Sequence, residues 1–235
     1  MSNGKHGLNH ASGFLFHGFL NHLLPVEVSQ KLHLNNYPLF HQKIHYHIQS
    51  IDWEVVFFDD EVAELILKQL KLMDHIVLTN HNLKLQIIEL RRNLTIPLEE
   101  WLIQMQKLNL TQRHAFLEFV SPTSHKVQGH YLRDFDLEVV CKHIVRKLNL
   151  LQTSVYLNDS TVELLMENIK VISNTTQTTS IQLKGQTIPA YIGSVHLKWI
   201  GNENSLVVYN LLWFFAELSG VGIKTAMGFG NVKVR

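Results

Sequence analysis

The densest chemistry in this sequence lies near its C-terminal end, in Ser219-Gly220-Val221-Gly222-Ile223-Lys224-Thr225-Ala226-Met227-Gly228-Phe229-Gly230. Four of the chain's 12 glycines fall within these last eleven residues. Glycine lets the backbone adopt φ > 0 and lets a ligand approach the main chain closely. A loop that exposes several N–H groups, with Lys224 and Thr225 inside it, can cradle a phosphate. A plainer reading has Gly220 capping a helix while Gly228 and Gly230 relieve crowding at a strand start. Four glycines around a lysine favour anion binding. Histidine is the second feature. There are 15, eight of them before Ser50, and histidine changes charge near neutral pH, which suits proton transfer or metal binding. Glu27 is the one acid between Met1 and Ser50, against Lys5, Lys31 and Lys43; after Glu217 come Lys224, Lys233 and Arg235 with no acid. The two ends of the chain would form one electropositive surface if they met.

Other chemistries fit less well. Gly-Lys-Thr invites a nucleotide-binding P-loop, but that motif follows a strand, opens a helix and places its lysine directly after the last glycine. Here the loop follows a helix and leads to a strand, so no nucleotide cofactor is expected. His41, His45 and His47 invite a zinc site with an open position. No acidic general base lies beside them in sequence, so no metal and no cofactor is expected. The single cysteine, Cys141, excludes an internal disulfide and a multi-cysteine zinc site. It reads as a small buried residue on a helix.

Net charge is +1, so bulk charge does not signal nucleic-acid binding; only the uneven distribution does. Hydrophobic content of 46% is that of a globular chain. No apolar run approaches the roughly 20 residues of a membrane span, and the N-terminus has no signal-peptide core. A cytoplasmic protein with no membrane partner is expected.

Hydropathy periodicity supplies the elements that must position these residues. Gly13 to Leu24 reads as a helix carrying His17 and His22, and Val26 to Leu34 as a second, ending near His33. Lys43 to Gln49 and Trp53 to Phe58 read as strands joined by a turn at Ser50-Ile51-Asp52. A helix from Val62 to Met73 follows, then strands His75 to Leu78 and Leu83 to Ile88, and a short helix from Pro97 to Met105. The second half begins with a strand at His114 to Val120. A polar loop, helices Leu137 to Leu151 and Thr161 to Ile169, and one strand from Lys170 extended through the Thr/Ser-rich stretch to Lys184 come next. A strand Ile188 to Ile200, a helix Ser205 to Leu218, the glycine loop and a last strand complete it. Each half repeats the βαββαβ order of the ferredoxin-like unit. The expected fold is α+β, with tandem ferredoxin-like (RRM-like) domains at 1–110 and 111–235.

Four stretches resemble one family in order. The ending Ala216 to Gly230 looks like the C-terminal glycine-rich signature of the RAMP superfamily, and more narrowly of the CRISPR-associated endoribonuclease that cuts repeat RNA. Phe16-His17-Gly18-Phe19-Leu20 resembles its first helix, and Lys31-Leu32-His33 its leucine-histidine element. Phe119 to Lys126 resembles the start of its second domain. The chain looks closest to members serving type III systems.

The resemblance implies metal-independent cleavage in which the RNA's own 2′-OH attacks the scissile phosphate, leaving 2′,3′-cyclic phosphate and 5′-OH ends. Two histidines of opposite protonation can act as base and acid. By the resemblance these are His33 and His17, and RNA is held by Gly220, Gly222, Lys224, Thr225, Gly228, Gly230 and Lys126. Arg133, Lys142 and Arg146 are further candidates for backbone contacts. The implied partners are CRISPR repeat RNA (pre-crRNA) and, transiently, a type III effector complex. A non-catalytic RAMP protein that binds and presents repeat RNA is the alternative. The sequence departs from the family in three ways. Asn21 stands where some members have a tyrosine, no lysine closely follows His33, and only about a dozen polar residues precede Gly13, so the N-terminal domain is expected without its first strand. The predicted strands carry no aromatic signature of the kind RNA-recognition modules use to stack bases.

Overall fold

The computed structural model describes residues 8, 12–28, 40–78, 83–92, 96–107, 111–183 and 185–235. The chain forms two compact units. The first comprises Met1–Pro97 with Ala226–Gly228, and the second Leu98–Thr225 with Phe229–Arg235.

In the first unit, α1 (Gly13–Leu23) is followed by the antiparallel hairpin β1 (Phe40–Tyr46) and β2 (Ile51–Phe57), then α2 (Asp60–Leu70) and the antiparallel pair β3 (His75–Leu78) and β4 (Leu83–Gln86). Helix α1 buries Leu15, Phe16 and Leu20, which share one side at helical spacing. Leu15 and Phe16 pack with Ile44, Ile76 and Leu78; Leu20 packs with Phe40, Val62 and Ile66. Helix α2 starts at Asp59, whose carboxylate accepts the Val62 N–H at 3.0 Å, and Asp60 and Glu61 complement its dipole.

The β1–β2 turn lies at His47–Ser50, earlier than the expected Ser50–Asp52, and β1 begins at Phe40 rather than Lys43. The register Ile44↔Trp53 and Tyr46↔Ile51 aligns apolar partners, and the actual turn has no glycine, proline or Asn-Gly to mark it. The expected helix from Val26 and the expected absence of a first strand fall largely or wholly on residues outside the described ones.

The second unit begins with α3 (Leu98–Lys107), which packs on α6. The rest runs β5 (His114–Thr123), the small hairpin β6 (His125–Val127) and β7 (His130–Leu132), α4 (Leu137–Leu150), α5 (Asp159–Asn168), β8 (Ile169–Asn174), β9 (Gln177–Leu183), β10 (Gln186–Trp199), α6 (Leu206–Ser219), a 3-10 turn at Thr225–Met227 and β11 (Val232–Val234). The sheet order is β11-β5-β10-β8 with every neighbour antiparallel, and β9 pairs β10 farther along. With β5, β8, β10 and β11 as strands one to four, this is the 4-1-3-2 order of a ferredoxin-like unit. The molecule is a tandem ferredoxin-like protein.

Two expectations for this half are corrected. The loop after β5 contains a hairpin whose turn residues, Gln128 and Gly129, both have positive φ, as a two-residue I′ turn requires. The long strand expected over Lys170–Lys184 is two strands. Asn174 Oδ1 accepts from both the N–H and the hydroxyl of Thr176, at 2.9 and 2.7 Å, and this side-chain turn breaks the ladder. Helix α6 is buried along most of its length, including Tyr209, Trp213 and Phe215. No helix among the described residues is long and apolar enough to cross a membrane.

Candidate functional site

Helix α6 ends at Gly220, whose φ of 68° turns the chain out of the helix. The glycine-rich stretch that follows is braced, and several of the N–H groups expected to be exposed are not. The N–H of Val221 donates to Gly230 O, Ile223 N–H to Ser124 O, and Gly230 N–H to Pro122 O, at 2.8, 2.9 and 3.1 Å. Those donors are therefore engaged within the protein. Two glycines are dictated by close approach: a Cβ on Gly222 would overlap the Ser124 carbonyl, and one on Gly230 the Val221 carbonyl. Lys224 also has positive φ, 60°, and its side chain is exposed. The loop thus presents a cation at its surface on a backbone held from beneath.

A half-buried lysine does much of that holding. Lys147, on α4, donates from Nζ to Ser219 O at 2.7 Å, Gly220 O at 2.9 Å and Thr225 Oγ1 at 3.2 Å. One ammonium has three protons, and all three are used. A cation at the end of α6 also meets the negative end of the helix dipole. Burial pushes the Lys147 ammonium down to about 7. Beside it, on β6, His125 is fully buried; its Nδ1 lies 3.1 Å from His143 Nδ1 and its Nε2 3.0 Å from the Tyr191 hydroxyl. One neutral tautomer serves both contacts. Burial, then His143 and Lys147, push His125 down to about 3, and His143 is lowered in the same direction by burial and by Arg146 and Lys147.

The tip of the loop, Ala226–Gly228, belongs to the first unit. Gln42, buried on β1, donates from Nε2 to Gly13 O at 2.9 Å and to Ala226 O at 2.7 Å. Trp53 Nε1 donates to Gln42 Oε1 at 2.8 Å and fixes which way the amide points. A Cβ on Gly13 would overlap the Met227 carbonyl, so the start of α1 and this segment touch backbone to backbone. The start of the helix that carries His17 and the tip of the glycine loop are therefore one packed structure.

His17 lies on α1, half-buried, with Nε2 2.9 Å from Asn21 Nδ2 and its ring 5.6 Å from that of Phe40. Asn21, the departure noted in the sequence, thus orients the candidate histidine. His33 lies outside the described residues. Lys126 is exposed on the β6–β7 hairpin, its Nζ 5.4 Å from the Tyr131 ring centre. Arg133 pairs with Asp134 and Lys142 with Glu138, while Arg146 is exposed on α4. His41 is buried, His45 is exposed and His47 bonds Asp52; among the described residues no group of three or more His, Cys, Asp or Glu could hold a metal ion.

Sequence reasoning missed Gln42, Lys147 and the His125–His143–Tyr191 chain. The one signal was Lys147 itself, a charge at a position where its helix neighbours Ile144 and Leu148 are core. Cys141 is buried on α4 as expected, and burial raises its thiol pKa.

Residues 117–232 match the family model of the CRISPR-associated endoribonuclease Cas6. A curated relative, the CRISPR-associated endoribonuclease Cas6 of Streptococcus thermophilus, is 22% identical over 221 residues, 93% of this chain and 89% of that protein. A solved Cas6 product complex superimposes with a TM-score of 0.80 at 18% identity, covering 95% of this chain and 93% of its own. A RAMP protein described as binding different RNA substrates superimposes at 0.58 with 12% identity, covering 97% and 92%.

Proposed function

We propose that this chain, which is similar to the CRISPR-associated endoribonuclease Cas6, is a metal-independent endoribonuclease that cleaves CRISPR repeat RNA (pre-crRNA) into guide RNAs. The RNA 2′-OH attacks the adjacent phosphorus, the P–O5′ bond breaks, and the products are a 2′,3′-cyclic phosphate and a 5′-OH. His33 and His17 divide the proton transfers, one accepting from the 2′-OH and the other donating to the leaving 5′ oxygen. Gly220, Gly222, Thr225, Gly228 and Gly230 shape the braced loop that meets RNA backbone, with exposed Lys224 supplying positive charge, and Lys126 adds a contact. The observation that most supports this reading is the clamp of Gln42 on Gly13 O and Ala226 O, which joins the loop tip to the start of the His17 helix.

The test is incubation with repeat RNA in EDTA, followed by mapping of product ends. The expected products carry cyclic phosphate and 5′-OH ends at a single site. His33→Ala is expected to abolish cleavage while leaving RNA affinity nearly unchanged. A wild-type protein that binds repeat RNA but never cuts it, with or without EDTA, would instead be a presenting RAMP protein. A nuclease of this kind would also contact a type III effector complex transiently.

A further inference from the structure

The outer face of the second unit's sheet carries a feature the sequence reading did not find. Phe116 on β5 and His196 on β10 are direct register partners, and their rings stack at 4.0 Å between centres with 15° between planes. Phe116 is 49% exposed. His114 Nδ1 lies 2.8 Å from His196 Nε2, which fixes the rotation of the imidazole. Alternation sets the face: Ala115, Leu117 and Phe119 point into the core, so His114, Phe116 and Glu118 point out.

The registers place cations around this pair. Lys170, Lys198 and His114 form one row across β8, β10 and β5. Ser173, His196 and Phe116 form the next, and Arg235 continues it, since Phe116 and Arg235 exchange both backbone hydrogen bonds. Glu118 and Lys233 stand in the third. The acid in these rows, Glu118, already accepts from Arg235 Nη2 at 3.2 Å, which leaves Lys170, Lys198 and Lys233 in excess. The neighbour beyond His196 in its row is Ser173, too small to cover the outer imidazole face.

A rigid stack of two rings with cations about one residue pair away matches the chemistry of an unpaired nucleotide run. Bases stack on aromatic faces in any sequence, and the phosphates meet the lysines. An acidic protein partner would use the lysines but has no need of the paired rings. We propose that this face is a stacking platform for unpaired bases of RNA, with Phe116 and His196 as the stacking rings and Lys170, Lys198 and Lys233 as phosphate contacts. It rests on the reading of this protein as RNA-binding, and it adds a single-strand site distinct from the glycine loop.

The test uses the full-length protein and a fluorescently labelled, unstructured RNA dodecamer unrelated to any repeat, read by anisotropy, with repeat-RNA cleavage measured in parallel. Phe116→Ala is expected to weaken dodecamer binding at least about fivefold. Phe116→Tyr is expected to restore it, and Phe116→Trp to report stacking as tryptophan quenching on RNA addition. Phe116 is exposed, so these variants should fold, and unchanged melting curves will verify this. Dodecamer affinity unchanged in Phe116→Ala, or no quenching in Phe116→Trp, overturns the platform while leaving the nuclease reading intact if repeat RNA is still cut. Binding that depends on Phe116 without any cleavage of repeat RNA upholds the platform and removes the nuclease reading. If Phe116→Ala leaves RNA affinity unchanged but dissolves a dimer, the face is a contact between copies and the platform is overturned.

Discussion

At the scale of single residues, the polar groups beneath the glycine loop matter most. Lys147→Met keeps the volume of the side chain but removes the charged donor to Ser219 O, Gly220 O and Thr225 Oγ1, of which Gly220 O keeps the Ser219 hydroxyl. Removing an ammonium from a half-buried site also removes its desolvation cost, so the two effects oppose each other. Three acceptors losing charged donors outweigh one partly titrated cation, and a net loss of about 2 kcal/mol is expected, read from urea midpoints. RNA affinity should fall with it if the loop holds RNA. His125 gives a pH prediction. Its value is about 3 in the folded protein, against about 6.5 unfolded, so below 6.5 the unfolded chain binds a proton the folded one refuses. This contribution to stability is complete above pH 6.5 and is lost as pH falls toward 3. Between pH 6.5 and 5 the loss should be about 2 kcal/mol, and His125→Gln should show a correspondingly shallower decline in its denaturation midpoints.

At the scale of elements, the glycines separate into those the backbone requires and those it tolerates. Gly230→Ala places a Cβ against the Val221 carbonyl at a φ of 69°, so both sterics and conformation oppose it. A loss of several kcal/mol is expected, or a failure to fold, because neighbouring backbone must move. Gly129→Ala also adopts positive φ but meets nothing within 4 Å, and about 1 kcal/mol is expected from the backbone alone. Gly18 lies in the middle of α1 with nothing near its missing Cβ. Gly18→Ala should therefore raise stability by about 1 kcal/mol, measurable as a higher melting temperature. A neutral result at Gly230 would mean the brace is not rigid.

At the scale of the molecule, chain order and fold order differ in one place. Ala226–Gly228 is near the end of the sequence yet folds with Met1–Pro97. Gln42→Leu removes both donors that hold Gly13 and Ala226 and orphans Trp53 Nε1. If that segment positions RNA for cleavage, the turnover rate should drop by about tenfold with little change in product identity, measured under single-turnover conditions. Much of this architecture was legible beforehand. The βαββαβ order came from periodicity, because a helix or strand with one buried face must repeat its apolar residues at 3.6 or 2 positions. The glycine cluster was legible because positive φ and backbone contact leave no room for another residue type. What the sequence could not determine was pairing across long separations. The brace of Lys147 joins α4 to residues more than 70 positions away, and the Gln42 clamp spans 184. Neither lysine nor glutamine has a local pattern that reveals a partner. The stacking of Phe116 on His196 depends on the register of β5 against β10, which is set where the two sheet faces meet core and solvent, not by either strand alone. Local periodicity chose the elements; only tertiary packing decided which polar side chain met which backbone, and that is what turns a glycine-rich tail into a braced loop.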